Sequence, residues 1–151
     1  MPNTPLIQQT NLHVLIADDD NDDIGFFHDT LQDISKDIKI STVNNGAELM
    51  EFLHAIVPDI IFLDINMPCK TGIECLAEIR ELHNLSRIPV VIYSTANIPK
   101  QIEKTYELGA NLYFEKPHSY KGMKDGLTKI LSKTSQMLLS EMPMDEYVIR
   151  A

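Results

Sequence analysis

"VLIADDDNDD", Val14 to Asp23, runs from four aliphatic or small residues straight into five aspartates within six positions. The first half reads as a short buried strand, the second as a turn entering a helix. Carboxylates about 4 Å apart repel by about 4 kcal/mol at an effective dielectric of roughly 20. That is a large fraction of a small domain's net stability. A folding chain tolerates such crowding if the side chains fan into water or if a cation sits among them.

The rest of the chain repeats the strand-then-helix pattern. "LHVLIA" (12–17), "IKISTV" (38–43), "DIIFLDI" (59–65), "IPVVIYS" (88–94) and "NLYFEK" (111–116) read as five strands. The third is apolar enough to be covered on both faces, and Pro89 stands near the start of the fourth, where a missing N–H is tolerated. Between them lie helical stripes: Ile24, Phe27, Leu31 and Ile34; then Leu49, Met50, Leu53 and Ile56; then Ile73, Leu76, Ile79 and Leu82. "NIPKQIEKTYELG" predicts a fourth helix capped by Asn97 and stopped by Gly109. Residues 119–136 predict a last helix, weakened by Gly122 and Gly126. Five strands alternating with helices imply an α/β doubly wound parallel sheet with helices on both faces.

Composition narrows the function. The chain has 151 residues, 44% of them hydrophobic and 23% charged, which suits one globular domain with a real core. A net charge of −9 without a basic stripe argues against nucleic acid and anionic lipid as partners. The start of the chain lacks the basic and apolar regions of a signal peptide, and no run approaches a membrane span. Cys69 and Cys75 read as free thiols of a reducing, cytoplasmic compartment. The division expected is an N-terminal arm (1–11), a domain (12–135) and a C-terminal tail (136–151), in which "YVIR" has the character of an extended segment packing back.

In an open parallel sheet, ligands bind beyond the carboxyl ends of the strands. The first strand ends in Asp18, Asp19 and Asp20, the third in Asp64, the fourth in Ser94 and Thr95, and the fifth in Lys116. Carboxylates suit octahedral Mg²⁺. A carboxylate can attack a phosphoryl group and hold it as an acyl phosphate, while a hydroxyl and an ammonium offset the charge on the phosphoryl oxygens. The aspartates then repel one another only until a divalent ion arrives.

"IADD", "FLDINMP", "VIYST" and "FEKP", in this order and spacing, resemble the receiver domain of a two-component response regulator of the single-domain, chemotaxis-regulator-like kind. "NNGAELMEFL" and "GIECLAEIR" resemble its second and third helices. The likeness covers about residues 12–135 and implies a flavodoxin-like (βα)5 fold with a five-stranded parallel sheet. It implies Asp64 as phospho-acceptor and Mg²⁺ held by Asp18, Asp19, Asp64 and the backbone carbonyl of Asn66. Ser94 and Lys116 would bind phosphoryl oxygens, and Tyr113 would be the aromatic switch. It also implies a cis Lys116–Pro117 peptide and a readout face of fourth helix, fifth strand and fifth helix carrying Lys100, Lys104, Tyr113 and Lys124.

Blander readings stand beside these. Asp22 and Asp23 suit a helix N-terminus through its dipole, Thr95 points away from the site, and the five histidines are scattered and form no metal-like pair. Met137, Met142 and Met144 read as gap-filling or tail contacts. The function expected is phosphorelay signalling by a non-enzymatic switch. It would be charged by a sensor histidine kinase or histidine phosphotransfer protein and would act on a downstream protein target. A haloacid-dehalogenase-type phosphohydrolase also uses an aspartate nucleophile, but it expects a second acid two residues on, where Asn66 stands. A receiver-like scaffold that is never phosphorylated is the other alternative.

Overall fold

The computed structural model describes residues 12–134, 137 and 142–150. The arm 1–11 lies outside the described residues, as do the last expected domain residue, 135, and tail residues 136, 138–141 and 151. The elements follow in the order β1 (His13–Ala17), α1 (Asn21–Ile34), β2 (Lys39–Val43), α2 (Gly46–Ala55), β3 (Ile60–Leu63) and α3 (Gly72–Glu81). Next come β4 (Val90–Ser94), α4 (Pro99–Glu107), β5 (Leu112–Glu115), α5 (Tyr120–Ser132), α6 (Met144–Tyr147) and β6 (Val148–Ile149). The sheet is parallel throughout, in the order β2-β1-β3-β4-β5-β6.

Side chains alternate across the pleat, so each central strand feeds two cores. On one face Leu15, Ala17, Ile61, Leu63 and Ile92 pack with Leu49 and Leu53 of α2, Leu76 and Ile79 of α3, and Ile102 of α4. On the other, Val14, Ile16, Phe62, Tyr93 and Phe114 pack with Phe27 and Leu31 of α1 and Met123, Leu127 and Ile130 of α5. Both faces of the central strands are dry, which is why their sequences are continuous apolar runs.

Several expectations change. The five expected parallel strands are all present, and among the described residues a sixth joins them because "YVIR" packs back: Val148 and Ile149 pair with Tyr113 and Phe114 at the β5 edge. Asn97 is not the cap of α4. That helix starts with Pro99 at its first turn after Ile98 and has no side-chain cap. Asn97 instead accepts a hydrogen bond from Arg150 Nη2 at 3.1 Å. No described peptide bond is cis, so Lys116–Pro117 is trans. Ile56 falls at the C-cap of α2 and is 44% exposed, out of the stripe assigned to it. Gly126 is a packing requirement as well as a helix weakener, since a Cβ there would stand 2.5 Å from the Phe114 ring. Gly109 ends α4 as expected, with φ +99.

Candidate functional site

The carboxyl-end rim is assembled by the last bonds of the parallel ladder. The Asp64 N–H donates to Ala17 O at 3.0 Å, and the Lys116 N–H donates to Ser94 O at 2.9 Å. Each strand-end residue is thus pinned to the strand beside it. Gly72 tightens the loop after Asp64: a Cβ on it would lie 2.1 Å from Asp64 O, so only glycine lets α3 begin so close. Within that loop Cys69 sits at φ 71, a left-handed conformation uncommon outside glycine.

One carboxylate oxygen from each of Asp18, Asp19 and Asp64 lies within 4.8 Å of the others. Asp18 is fully buried and Asp64 only 6% exposed. Asp18 Oδ1 accepts the Asp20 N–H at 3.0 Å. Its Oδ2 is paired with the Lys116 ammonium at 2.8 Å. Three carboxylates this close, with one ammonium to share, are a donor set that suits a hard divalent cation. Asn66 supplies its N–H to Asp64 Oδ1 at 3.4 Å and its side chain is an amide, so no acid stands two residues after Asp64 to serve a phosphohydrolase.

Lys116 reaches into this ring, 2.7 Å from Asp23 Oδ2 and 3.5 Å from Asp64 Oδ2. Its ammonium also stands 5.1 Å from the Tyr93 ring centroid, which forms an aromatic floor. Burial alone would lower the Lys116 pKa. Hydrogen bonding to Asp18 and Asp23 and the charge of Asp64 outweigh it and hold the amine above its ordinary value. Asp64 moves up to about 6, first by burial, against the pull of Lys116, and with the Asp18 charge pushing the same way as burial. The two shifts are compatible because one ammonium is divided among three carboxylates, and Asp64 holds the longest of the contacts.

Ser94 is 1% exposed at the end of β4, its Oγ accepting the Ala96 N–H at 3.1 Å, while Thr95 is exposed as expected. Tyr113 is fully buried, its hydroxyl donating to Ala96 O at 2.8 Å. Of the residues expected on the readout face, Lys100, Lys104 and Lys124 are exposed, and Tyr113 is covered by Tyr147. Asp22 and Asp23 both stand in the first turn of α1, as the helix reading of the outer acids has it. Asp20 caps α1, accepting the Asp22 and Asp23 N–H groups at 2.9 and 3.2 Å. Asp23, however, also turns its carboxylate onto Lys116. Asp23 and Tyr93 are the two rim residues missed in the sequence. The only signal for Asp23 was helical spacing from the strand end, which is the same for a solvated first-turn acid.

Asn44, at the end of β2, braces the acidic loop. Its Nδ2 donates to Asn21 Oδ1 at 3.1 Å and lies 3.4 Å from Asp18 O. A groove of about 1180 Å³ opens at the opposite rim against Leu12, Pro58 and Arg87 and contains none of these acids. Among the described residues no helix is long and apolar enough to cross a membrane.

An open, doubly wound α/β domain with its acids, hydroxyl and ammonium at the strand carboxyl ends is the architecture in hand. The sequence model of the response regulator receiver domain matches residues 14–128, and the chain belongs to that family. It is 33% identical over 121 residues to the two-component response regulator ARR17 of Arabidopsis thaliana, covering 72% of this chain and 78% of that one. Response regulator Rcp1 of Synechocystis sp. is 31% identical over 117 residues, covering 73% and 80%. Among solved structures, the Mn²⁺-bound form of Rcp1 superposes with a TM-score of 0.70 at 28% identity, covering 87% of this chain and 97% of that chain. The phosphorylated cyanobacterial phytochrome response regulator RcpA gives 0.71 at 31% identity, covering 86% and 95%. The function is that of a receiver in two-component phosphorelay signalling, a signalling module with phosphodonor and effector partners.

Proposed function

We propose that Asp64 is the phospho-acceptor, charged by a sensor histidine kinase or a histidine phosphotransfer protein, within a receiver unit of residues 12–135. The observation that carries this reading is the convergence of the buried Asp18 and Asp64 carboxylates, the exposed Asp19 carboxylate and the Lys116 ammonium at one rim. Asp64 Oδ attacks phosphorus. The bond from phosphorus to the donor nitrogen breaks, its electron pair leaves on the donor imidazole, and an acyl phosphate remains on Asp64. Asp18, Asp19, Asp64 and the Asn66 carbonyl are the residues that would hold Mg²⁺, which supplies positive charge against the phosphoryl oxygens. Lys116 and the Ser94 hydroxyl stabilise those oxygens from the protein side. As Ser94 turns inward, it draws on the Ala96 N–H it now holds, and the loop that also carries the Tyr113 contact follows. The chemistry is confined to gain and loss of the protein's own phosphoryl group, so the domain acts as a switch.

The test uses the intact chain with Mg²⁺ and acetyl phosphate, read by mass spectrometry. One phosphoryl group is expected on the peptide containing Asp64 and none on Asp64→Asn. Undiminished labelling of the variant sinks the assignment. The phosphorylated state of RcpA and the Mn²⁺-bound state of Rcp1, both relatives of this fold, support the reading.

A further inference from the structure

Three carboxylates surround the Lys116 ammonium, and they are not equivalent. Asp18 Oδ2 and Asp64 Oδ2 face it at 2.8 and 3.5 Å, while Asp23 Oδ2 makes the shortest contact, 2.7 Å. Asp18 and Asp64 each set their other oxygen against a backbone N–H, that of Asp20 at 3.0 Å and that of Asn66 at 3.4 Å. Both also belong, with Asp19, to the cluster whose oxygens lie within 4.8 Å of one another. A divalent cation bound there draws on the same carboxylates that face Lys116, and the two cations repel. Asp23 is not a member of that cluster. Its hold on Lys116 is one that such an ion leaves alone.

The fold fixes Asp23 for this contact. Asp20 caps α1 by accepting the Asp22 and Asp23 N–H groups, which pins the first turn to the acidic loop. Phe27, one helical turn further along the same face, is fully buried, its ring centroid 5.4 Å from that of Tyr93. Tyr93 in turn lies under the Lys116 ammonium, 5.1 Å from it. Helix docking and strand end thus bring Asp23 and Lys116 together over one aromatic ring. An acid that served only the helix dipole needs none of this, and Asp22 in the same turn is exposed.

We propose that Asp23 is a positioning residue: it retains the Lys116 ammonium at the rim when a divalent ion engages Asp18 and Asp64. The ammonium so retained is the one that offsets charge on the phosphoryl oxygens. That consequence rests on Asp64 being the phospho-acceptor, whereas the retention itself does not. Asp23→Ala leaves Lys116 to Asp18 and Asp64 alone, so the ammonium is displaced once those two are engaged. Asp23→Asn keeps an acceptor oxygen without the charge and falls between, because charge-assisted hydrogen bonds are the stronger ones.

The experiment measures acetylation of Lys116 by acetic anhydride, read by mass spectrometry, in the full chain, Asp23→Ala and Asp23→Asn, each with and without Mg²⁺. Exposed Lys124 serves as the internal reference. The Asp23 side chain is 35% exposed in the first turn of α1, so both variants keep the fold. Mg²⁺ should leave Lys116 labelling unchanged in the parent chain and raise it at least about fivefold in Asp23→Ala, with Asp23→Asn between. A merely structural role for Asp23 gives the opposite sign, since an ion that stabilises the fold lowers labelling in every variant. An equal response to Mg²⁺ in the parent and both variants overturns the proposal. With acetyl phosphate and Mg²⁺, Asp23→Ala should lower the maximal rate of Asp64 labelling at least about fivefold while the half-saturating acetyl phosphate concentration stays the same. An undiminished rate overturns the part played in phosphoryl chemistry. If the parent chain is never labelled on Asp64 while Mg²⁺ frees Lys116 in Asp23→Ala alone, the phospho-acceptor reading falls and the anchoring of Lys116 remains.

Discussion

At the scale of single residues, the rim is governed by one ammonium divided among three carboxylates. Lys116 sits 2.7 Å from Asp23, 2.8 Å from Asp18 and 3.5 Å from Asp64, so the carboxylate best placed for chemistry is the least neutralised. Its pKa of about 6 lies above the ordinary 3.8, so the folded state binds a proton between these values that the unfolded chain has released. The contribution to stability is full below pH 3.8 and is lost as pH rises through 6. It amounts to a loss on the order of 3 kcal/mol. Urea melts in EDTA across this window should show it, and Asp64→Asn should flatten the profile; a profile unchanged by that substitution would count against the assigned shift. Asp23→Asn should move the midpoint down, because Lys116 then concentrates on Asp18 and Asp64. Its cost in stability should be no more than about 1 kcal/mol, since the Asp23 carboxylate is partly solvated. An unmoved midpoint in the same melts would mean that Asp23 does not hold Lys116 away from Asp64.

At the scale of elements, two glycines in helices separate packing from propensity. Gly25 in α1 has nothing within 4 Å of the point where a Cβ would stand, whereas a Cβ on Gly126 in α5 would meet the Phe114 ring at 2.5 Å. Phe114 is itself fully buried and packed against Tyr93 at 5.6 Å between ring centroids, so it has no room to yield. Gly25→Ala should stabilise by about 0.5–1 kcal/mol through reduced backbone entropy. Gly126→Ala should destabilise by about 1–3 kcal/mol despite the same gain in helix propensity, because overpacking outweighs it. Thermal melts of the two variants should move in opposite directions. Both glycines look alike in the sequence, as breaks in a helical pattern. What distinguishes them is the strand behind one and the solvent in front of the other.

At the scale of the whole molecule, a chain of net charge −9 gathers buried acids at one rim and holds the fold around them. A divalent ion that binds only the folded rim should raise stability by about 2.7 kcal/mol at a hundredfold excess over its dissociation constant. Calorimetry with Mg²⁺ titrated into metal-free protein should show a rising melting temperature, and Asp19→Asn should blunt the rise. A melting temperature indifferent to Mg²⁺ in the parent chain would remove the case for a cation site. The charge also sets the direction of the fold's tolerance: like charges at the rim oppose folding, and the two dry cores beneath outweigh them.

How much of this could be read beforehand follows from how each feature is encoded. Strands, helices, their order and the polar character of the rim come from local patterns: dry strands are apolar runs, amphipathic helices repeat near 3.6, and parallel strands deliver their last residues to one edge. Asp18, Asp19, Asp64, Ser94 and Lys116 were therefore visible as strand-end residues, and they do lie together at one rim. Contacts between residues far apart in the chain leave no such trace. The ion pair of Asp23 with Lys116, the Tyr93 floor, the recruitment of Asn97 by Arg150 and the burial of Tyr113 under Tyr147 were decided only when the chain closed on itself, since each depends on distances that no repeating pattern sets.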